Sequence, residues 1–412
     1  MRACIHRGAN EIGGSCVELE ADGQRLLLDL GLPLDGESGQ AALPDIRGRS
    51  GGDPSLLGVI VSHPHPDHYG LLPEIDASVP IFIGAGAEVV LKEASFFTGA
   101  PSLPAASDHL EHGVPFDQGP FRITPYLVDH SAFDSYAVLV EAGGRRVFYS
   151  GDLRAHGRKP GAFSRLVENP PEGVDALLLE GTQVGPGQAR EPLSEGDVEE
   201  LATERFRESE GAALALFSPQ NVDRLVTVFR AARRAGRELV LDLYAASVST
   251  ATGRPTIPQP GFEGIKVYVP QRQRILVKRS QEFDRVEAIR PWRIYAEDLA
   301  ADPSRYVVTF RHSIGHELLS AGALGDASAV WMMWSGYLER ARGIALKQWL
   351  AEQGIEMTIA HASGHAQLAD LKGVAKAIDP RRVVPIHTSA PEIYDEHFLR
   401  VERHPDGEWW EV

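Results

Sequence analysis

The chain has 412 residues, enough for two domains or for one domain carrying a large insertion, and at 43% hydrophobic and 24% charged it has the composition of an ordinary soluble globular protein. No apolar run approaches the ~18 residues of a membrane span, and the opening Met1-Arg2-Ala3-Cys4-Ile5-His6-Arg7 is too short and polar for a signal peptide. A formal charge of −16 argues against a uniformly basic nucleic-acid binder, although two basic groups stand out locally: Arg230, Arg233, Arg234 and Arg237, and then Arg272, Arg274, Lys278 and Arg279. The two cysteines, Cys4 and Cys16, match no metal or redox spacing; they read as buried small hydrophobes and suit a reducing cytoplasm.

Cys16-Val17-Glu18-Leu19-Glu20 alternates, Asp22-Gly23 signals a turn, and Arg25-Leu26-Leu27-Leu28-Asp29 is the return strand of a hairpin. Residues 31–52, rich in Gly, Pro and Asp, read as a loop. The apolar run Leu56 to Val61 is a short buried strand that ends in Ser62-His63-Pro64-His65-Pro66-Asp67-His68. Pro80 to Gly84 predicts a strand and Ala87 to Phe97 a helix. Phe121 to Val128 is extended and ends in Asp129-His130. A second hairpin, Ala137–Glu141 and Arg146–Tyr149, turns at Gly143-Gly144 and ends in Ser150-Gly151-Asp152. Ala176 to Leu179 runs into Glu180-Gly181-Thr182.

The pattern changes near residue 190. Ser194-Glu195-Gly196-Asp197 has the serine cap and acidic first turn of a helix start. Strands at 212–217, 238–243, 305–310 and 329–334 then alternate with helices at 222–235 and 338–353. This alternation predicts parallel strands joined by crossover helices, an α/β unit of roughly 150 residues. The tail resumes the pattern of residues 1–190, with a strand at 356–360 ending in His361, a helix at 366–378 and the strand Arg382 to Ile386 ending in His387. Trp409 and Trp410 read as an edge strand. The remaining histidines His6, His109, His112, His156, His397 and His404 read as surface residues, and His361 as a neighbour of the site. His312 and His316 have helical spacing but lack the order of a zinc-protease motif.

Apolar strands thus finish repeatedly with His, Asp or Glu. The residues His63, His65, Asp67, His68, His130, Asp152 and His387 supply five imidazoles and two carboxylates. These are donors for a borderline metal such as zinc. Their number suits two ions that each keep a position for water, with Asp152 able to bridge them. A bridging hydroxide would then be a nucleophile near neutral pH, and the net-positive pair would favour a developing phosphorane over a neutral amide. The chemistry is metal-assisted hydrolysis.

His63-x-His65-x-Asp67-His68, followed by His130, Asp152 and a late His387, resembles the metallo-β-lactamase superfamily, an αββα sandwich. Ser363-Gly364-His365-Ala366, Pro385-Ile386-His387-Thr388 and Leu179-Glu180-Gly181-Thr182 resemble the motifs of its β-CASP group, most of all ribonuclease J and its short bacterial relatives. The resemblance covers residues 1–390. It implies an α/β fold with 1–190 as the first part of the metallo-β-lactamase domain, 191–354 as an inserted β-CASP domain, and 355–412 as the closing part. It implies one ion on His63, His65 and His130, a second on Asp67, His68 and His387, and Asp152 between them. The ions would be zinc, with manganese as the alternative. Asp67, His365 and Glu180 form the catalytic set, with His365 protonating the leaving oxygen and Glu180 orienting it. Ser363, Ser218 and Asn221 would contact phosphate, although Pro219-Gln220 interrupts the serine–asparagine segment. The implied substrate is single-stranded nucleic acid, RNA before DNA, lying between the two domains of a cytoplasmic nuclease with no membrane partner and with homodimer formation open. The chain ends soon after His387, so the further C-terminal domain of ribonuclease J is not carried over. The alternatives are a hydrolase of a small ester, thioester or lactone, against which Glu180 and the Ser-Gly-His-Ala motif speak, and a non-catalytic β-CASP interaction subunit, which would be expected to have lost ligands.

Overall fold

In the computed structural model, which describes residues 1–34, 43–101, 103–185 and 193–412, the chain divides into two compact units. The first takes in Met1–Lys92, the residues from Pro101 up to the stretch 186–192, and Gly364–Val412; the second takes Glu93–Ala100 and the residues from that stretch to Ser363. The expected domain boundary at 190/191 lies outside the described residues.

The first unit is two stacked sheets with helices outside. Its strands are β1 (Arg2–Arg7), β2 (Cys16–Ala21), β3 (Gln24–Leu28), β4 (Leu56–Ile60), β5 (Ile81–Gly84), β6 (Asp108–Leu110), β7 (Phe116–Gln118), β8 (Phe121–Leu127), β9 (Tyr136–Ala142), β10 (Arg145–Tyr149) and β11 (Ala176–Glu180), and, after the seven strands of the second unit, β19 (Arg382–Ile386) and β20 (Trp409–Glu411). Its helices are α1 (Pro66–Tyr69), α2 (Ala85–Thr98, whose last turns fall in the second unit), α3 (Pro160–Glu168), α12 (Leu368–Ile378) and α13 (Tyr394–His397). One sheet runs β20-β1-β2-β3-β4-β5-β6 and the other β19-β11-β10-β9-β8-β7. Inward residues of both, among them Val17, Leu19, Leu26, Val138, Val140 and Leu178, make a shared core. Alternation along β2, β9 and β10 sends every second apolar residue there. A second layer packs α3 and α12 on the outer face of the six-stranded sheet, through Leu166, Leu371 and Val374 against Leu177 and Leu179. A third packs α2 on the other sheet, through Ala87 and Leu91. This is the αββα sandwich.

The second unit is a parallel sheet of β12 (Ala213–Leu216), β13 (Glu238–Asp242), β14 (Ile265–Tyr268), β15 (Arg293–Ile294), β16 (Tyr306–Thr309), β17 (Ser328–Trp331) and β18 (Glu356–Ile359), ordered β15-β14-β13-β16-β12-β17-β18. Its helices are α4 (Glu195–Glu208), α5 (Val222–Arg234), α6 (Leu243–Ala251), α7 (Gln271–Ser280), α8 (Asp284–Glu287), α9 (Ala296–Ala301), α10 (His312–Ser320) and α11 (Ala341–Glu352). Ser194 caps α4 in a reciprocal box with Asp197.

The structure corrects several expectations. The sequence pattern groups the strand 356–360 with the closing part of the first domain. β18 instead pairs in parallel with β17, and the second unit runs on to Ser363. The β17–α11–β18 crossover returns the strand to its neighbour's sheet, and nothing in Glu356-Met357-Thr358-Ile359 alone marks which sheet it joins. The strand expected at 329–334 stops at Trp331, and Ser335–Glu339 forms a 3₁₀ turn before α11. Leu243 opens α6 rather than ending a strand, because the Asp242 side chain accepts from Ala245 N–H at 2.9 Å. His6 is not a surface residue: its Nε2 lies 2.6 Å from Glu18 Oε2, and its side chain is 10% exposed. Cys4 and Cys16 are free and buried, as expected. Among the described residues no helix is long and apolar enough to cross a membrane.

One polar link stands out in the second unit. Arg224 on α5 is fully buried. It donates to both oxygens of Glu195 on α4, at 3.1 and 3.0 Å, to the carbonyl of Met332 after β17, and to the carbonyl of Ala362 after β18 at 3.2 Å. Removing one partner of such a pair strands the other charge. Arg224→Leu is expected to lower stability in a denaturant titration by about 3–5 kcal/mol, and adding Glu195→Leu to recover part of that loss.

Candidate metal centre

The loop His63–His68 is held against the turn that follows β3. Leu30 N–H donates to His68 O at 2.8 Å, Leu32 N–H to Pro66 O at 2.9 Å, and Ser15 N–H to Asp67 O at 3.0 Å. Gly31 makes this approach possible, because a Cβ there would lie 1.7 Å from Asp67 O. Pro66 occupies the first turn of α1, where its missing N–H costs nothing. The other site residues sit where strands end. β19, β11 and β10 are mutually parallel, and β8 runs the same way because β8 and β10 are each antiparallel to β9. His130, Asp152, Glu180 and His387 therefore emerge at one edge of the six-stranded sheet. β3 and β4 are parallel too, which brings Asp29 and His63 to one edge of the other.

The seven residues expected as ligands are brought together. Groups whose donor atoms all lie within 4.8 Å of one another are His63–His65–His130, His63–His68–Asp152, Asp67–His68–His387 and His130–Asp152–His365. Asp152 Oδ2 is central: His68 Nε2 lies 3.1 Å from it, His63 Nε2 3.5 Å, His365 Nδ1 3.5 Å and His130 Nε2 4.0 Å. His387 Nε2 is 3.7 Å from Asp67 Oδ2. His365 Nδ1 is 3.3 Å from Glu180 Oε2. Glu180 is fully buried and accepts from Leu153 N–H at 3.3 Å and Thr182 N–H at 3.2 Å.

What the sequence did not disclose is the set of groups that aim these rings. His68 Nδ1–H donates to Asp29 Oδ2 at 2.7 Å, His63 Nδ1–H to Ser62 Oγ at 2.9 Å, His387 Nδ1–H to Ser15 Oγ at 2.7 Å and His130 Nδ1–H to the Gly364 carbonyl at 2.5 Å. With Nδ1 engaged, Nε2 of these four rings is the donor turned to the centre. Asp29 does more than orient one ring. It also accepts from Ser62 N–H at 2.6 Å, Ser62 Oγ at 2.7 Å and the Tyr149 hydroxyl at 2.6 Å. A carboxylate from β3's end thus ties the metal loop to β10 of the opposite sheet. The only signal for Asp29 was that it, too, ends an apolar strand.

The electrostatics favour cations. Burial, aided by the neighbouring imidazoles of His68 and His130, holds the pKa of His63 well below its ordinary value. Burial likewise lowers His130 and His387, and it takes His65 to about 4. These rings stay neutral, the form that binds metal. His68 goes the other way: burial opposes its protonation, but Asp152 and Asp29 outweigh it. His365 behaves similarly, with Asp152 and Glu180 overcoming burial to hold its pKa at about 9. Burial by itself would raise Asp152, yet the surrounding imidazoles of His387, His68 and His365 keep it well below the usual carboxylate range. His63 Nε2, His387 Nε2 and both oxygens of Asp152 are buried with no hydrogen-bond partner among the described residues. Buried polar atoms left in that state call for a ligand. A nitrogen and oxygen donor set of this size fits two divalent ions and accepts either zinc or manganese.

Other candidates fall elsewhere. His312 and His316 pack their rings on Trp349, at 5.6 and 5.9 Å, and belong to no metal-sized cluster among the described residues. Asn221 is the cap of α5, accepting from Arg224 N–H at 2.9 Å. Ser218 accepts at its carbonyl from Asn221 N–H. His361 lies in the second unit with Nδ1 3.4 Å from the Met332 carbonyl. Asp29→Asn keeps the shape of the side chain but removes its charge. It is expected to weaken metal affinity about 10- to 100-fold in a competitive chelator titration, with the fold retained by circular dichroism.

Residues 26–212 match the family model described as a beta-lactamase superfamily domain. The chain is 24% identical over 400 residues to a ribonuclease J of Sinorhizobium meliloti, covering 90% of this chain and 65% of that protein. It is 21% identical over 397 residues to one of Helicobacter pylori, covering 92% and 55%. The chain thus spans about two thirds or less of the length of these relatives. A crystal structure of a protein of unknown function from Enterococcus faecalis superposes with a TM-score of 0.80 at 19% identity, over 99% of both chains. The sandwich, the family-model match over residues 26–212 and the histidine–aspartate cluster support a metallo-hydrolase that carries a beta-lactamase superfamily domain and is similar, at low identity, to ribonucleases J.

Proposed function

We propose that the protein is a metal-dependent nuclease that hydrolyses phosphodiester bonds of RNA, with single-stranded DNA as the second substrate class. The observation that carries this reading is the His365–Glu180 pair beside Asp152. It lies outside the histidine loop and adds an acid to a metal cluster. Hydrolysis of a small activated ester needs no such group, whereas an alkoxide leaving group does. The names of the ribonuclease J relatives support the same substrate class.

Divalent ions bound at the cluster would supply a water-derived nucleophile near neutral pH and offset charge on the phosphoryl oxygens. His63, His65 and His130 would hold one ion, Asp67, His68 and His387 the other, and Asp152 would bridge them. The protein's own residues do the rest. Glu180 faces Nδ1 of His365 and is itself fixed by backbone N–H groups, so it orients the ring. His365 then donates a proton to the leaving oxygen, while burial of Asp152, Glu180 and His387 keeps bulk water from competing. Ser363 and Ser218 are proposed as hydroxyls that grip a phosphate. Asn221, spent on capping α5, contributes by fixing the start of that helix. Two buried free thiols suit a reducing, cytoplasmic setting.

Digestion of end-labelled RNA and DNA, each with a 5′-phosphate or a 5′-hydroxyl, tests the substrate class; failure to cleave any of the four would refute it. His365→Ala is expected to lower turnover on the preferred strand by about 100-fold or more with metal content unchanged. Loss of metal in that variant would instead make His365 a ligand, as its place in the His130–Asp152–His365 group allows.

A further inference from the structure

The geometry points to a base-stacking platform for a single-stranded nucleic acid, formed in the second unit by Trp334 and Tyr337 with Arg340 and Arg342 beside them. This inference rests on the nucleic-acid reading above and names where the strand's bases are held.

Two large aromatic side chains stand in solvent just after β17, Trp334 at 50% exposure and Tyr337 at 46%. Their rings form an edge-to-face pair with centroids 5.5 Å apart. Half of each side chain is open to solvent, and an exposed aromatic surface is what a base stacks on. The pair is rigidly seated. Gly336 lies beneath the indole, where a Cβ would come within 2.3 Å of ring carbon. Gly343 on α11 lies against the Tyr337 carbonyl, where a Cβ would come within 2.1 Å. Leu338, 3% exposed, pins the 3₁₀ turn into the core. Two residues before Trp334, the Met332 carbonyl is fixed by the buried Arg224, which also holds the Ala362 carbonyl. A platform that does not reorganise loses little entropy on binding.

The charge around it selects the occupant. The Arg340 guanidinium sits 5.4 Å from the Tyr337 ring centroid, and Arg342 is exposed beside it at the start of α11. The nearby acid, Glu339, is paired with Lys347 at 3.0 Å. A chain with a formal charge of −16 therefore presents here a locally cationic, aromatic surface. An anionic strand of aromatic bases matches this surface in both respects, its phosphates facing the guanidinium groups and its bases the rings.

The test uses the metal-loaded full chain and phosphorothioate-linked 12-mers of uridine, to hold cleavage down, alongside an abasic 12-mer with the same linkages. The uridine strand is expected to quench part of the tryptophan emission and the abasic strand not to. Trp334→Leu is expected to remove that component and weaken binding of the uridine strand about tenfold, with Trp334→Phe restoring most of the affinity. Unchanged affinity in Trp334→Leu, or equal binding of the abasic strand, overturns the platform. So does a change in oligomeric state on sedimentation with strand binding intact, which would make the patch a protein interface. Cleavage is scored separately on unmodified RNA, so a chain that binds bases but cuts nothing counts against the nuclease reading and not against the platform.

Discussion

Asp152 is a carboxylate buried at the strand-end edge of the sandwich with no hydrogen bond to either oxygen among the described residues. Such a group is tolerable only if a cation faces it. The structure answers with five imidazoles, two of which, His68 and His365, are themselves pushed toward the protonated form. Protons are a poor substitute for a metal here, since the remaining rings are held neutral and aim their donor atoms inward. Much of the first unit can be understood as the apparatus that builds and holds this one electrostatic arrangement.

Sheet direction does most of the building. Strands that share a direction end at the same edge, so a polar residue placed after each apolar run is delivered to a common point without further instruction. The hydrogen bonds at Nδ1 then convert proximity into aim. Ser62, Ser15, Asp29 and the Gly364 carbonyl each take one ring nitrogen and leave the other for the centre. Asp29 couples this to the fold itself, because its bonds to Ser62 and Tyr149 join the two sheets. The site and the sandwich are mechanically one object in that region.

The clustered histidines and aspartates were legible in the sequence because their order and strand-end position repeat, and because metal donors come from few residue types. The orienting groups were not, since serine, aspartate or a backbone carbonyl at a turn carries no pattern of its own; only Asp29 shared the strand-end position. Elements with strong periodicity, such as the hairpins and α5, were also readable to within a residue or two. β18 defeats sequence reading because four residues cannot specify their sheet, and α6 does so because a capping aspartate redirects a run that otherwise reads as strand. His6 resembles a surface residue in the sequence because its partner, Glu18, becomes its neighbour only through the β1–β2 register.

The central claim is that Asp152 joins two ions into one centre. Metal content of the purified protein, measured by mass spectrometry after exhaustive dialysis, decides it. Wild type should retain two tightly bound divalent ions per chain, and Asp152→Ala should keep at most one and lose hydrolytic activity, with its fold preserved by circular dichroism. Two tightly held ions per chain in Asp152→Ala would contradict the claim.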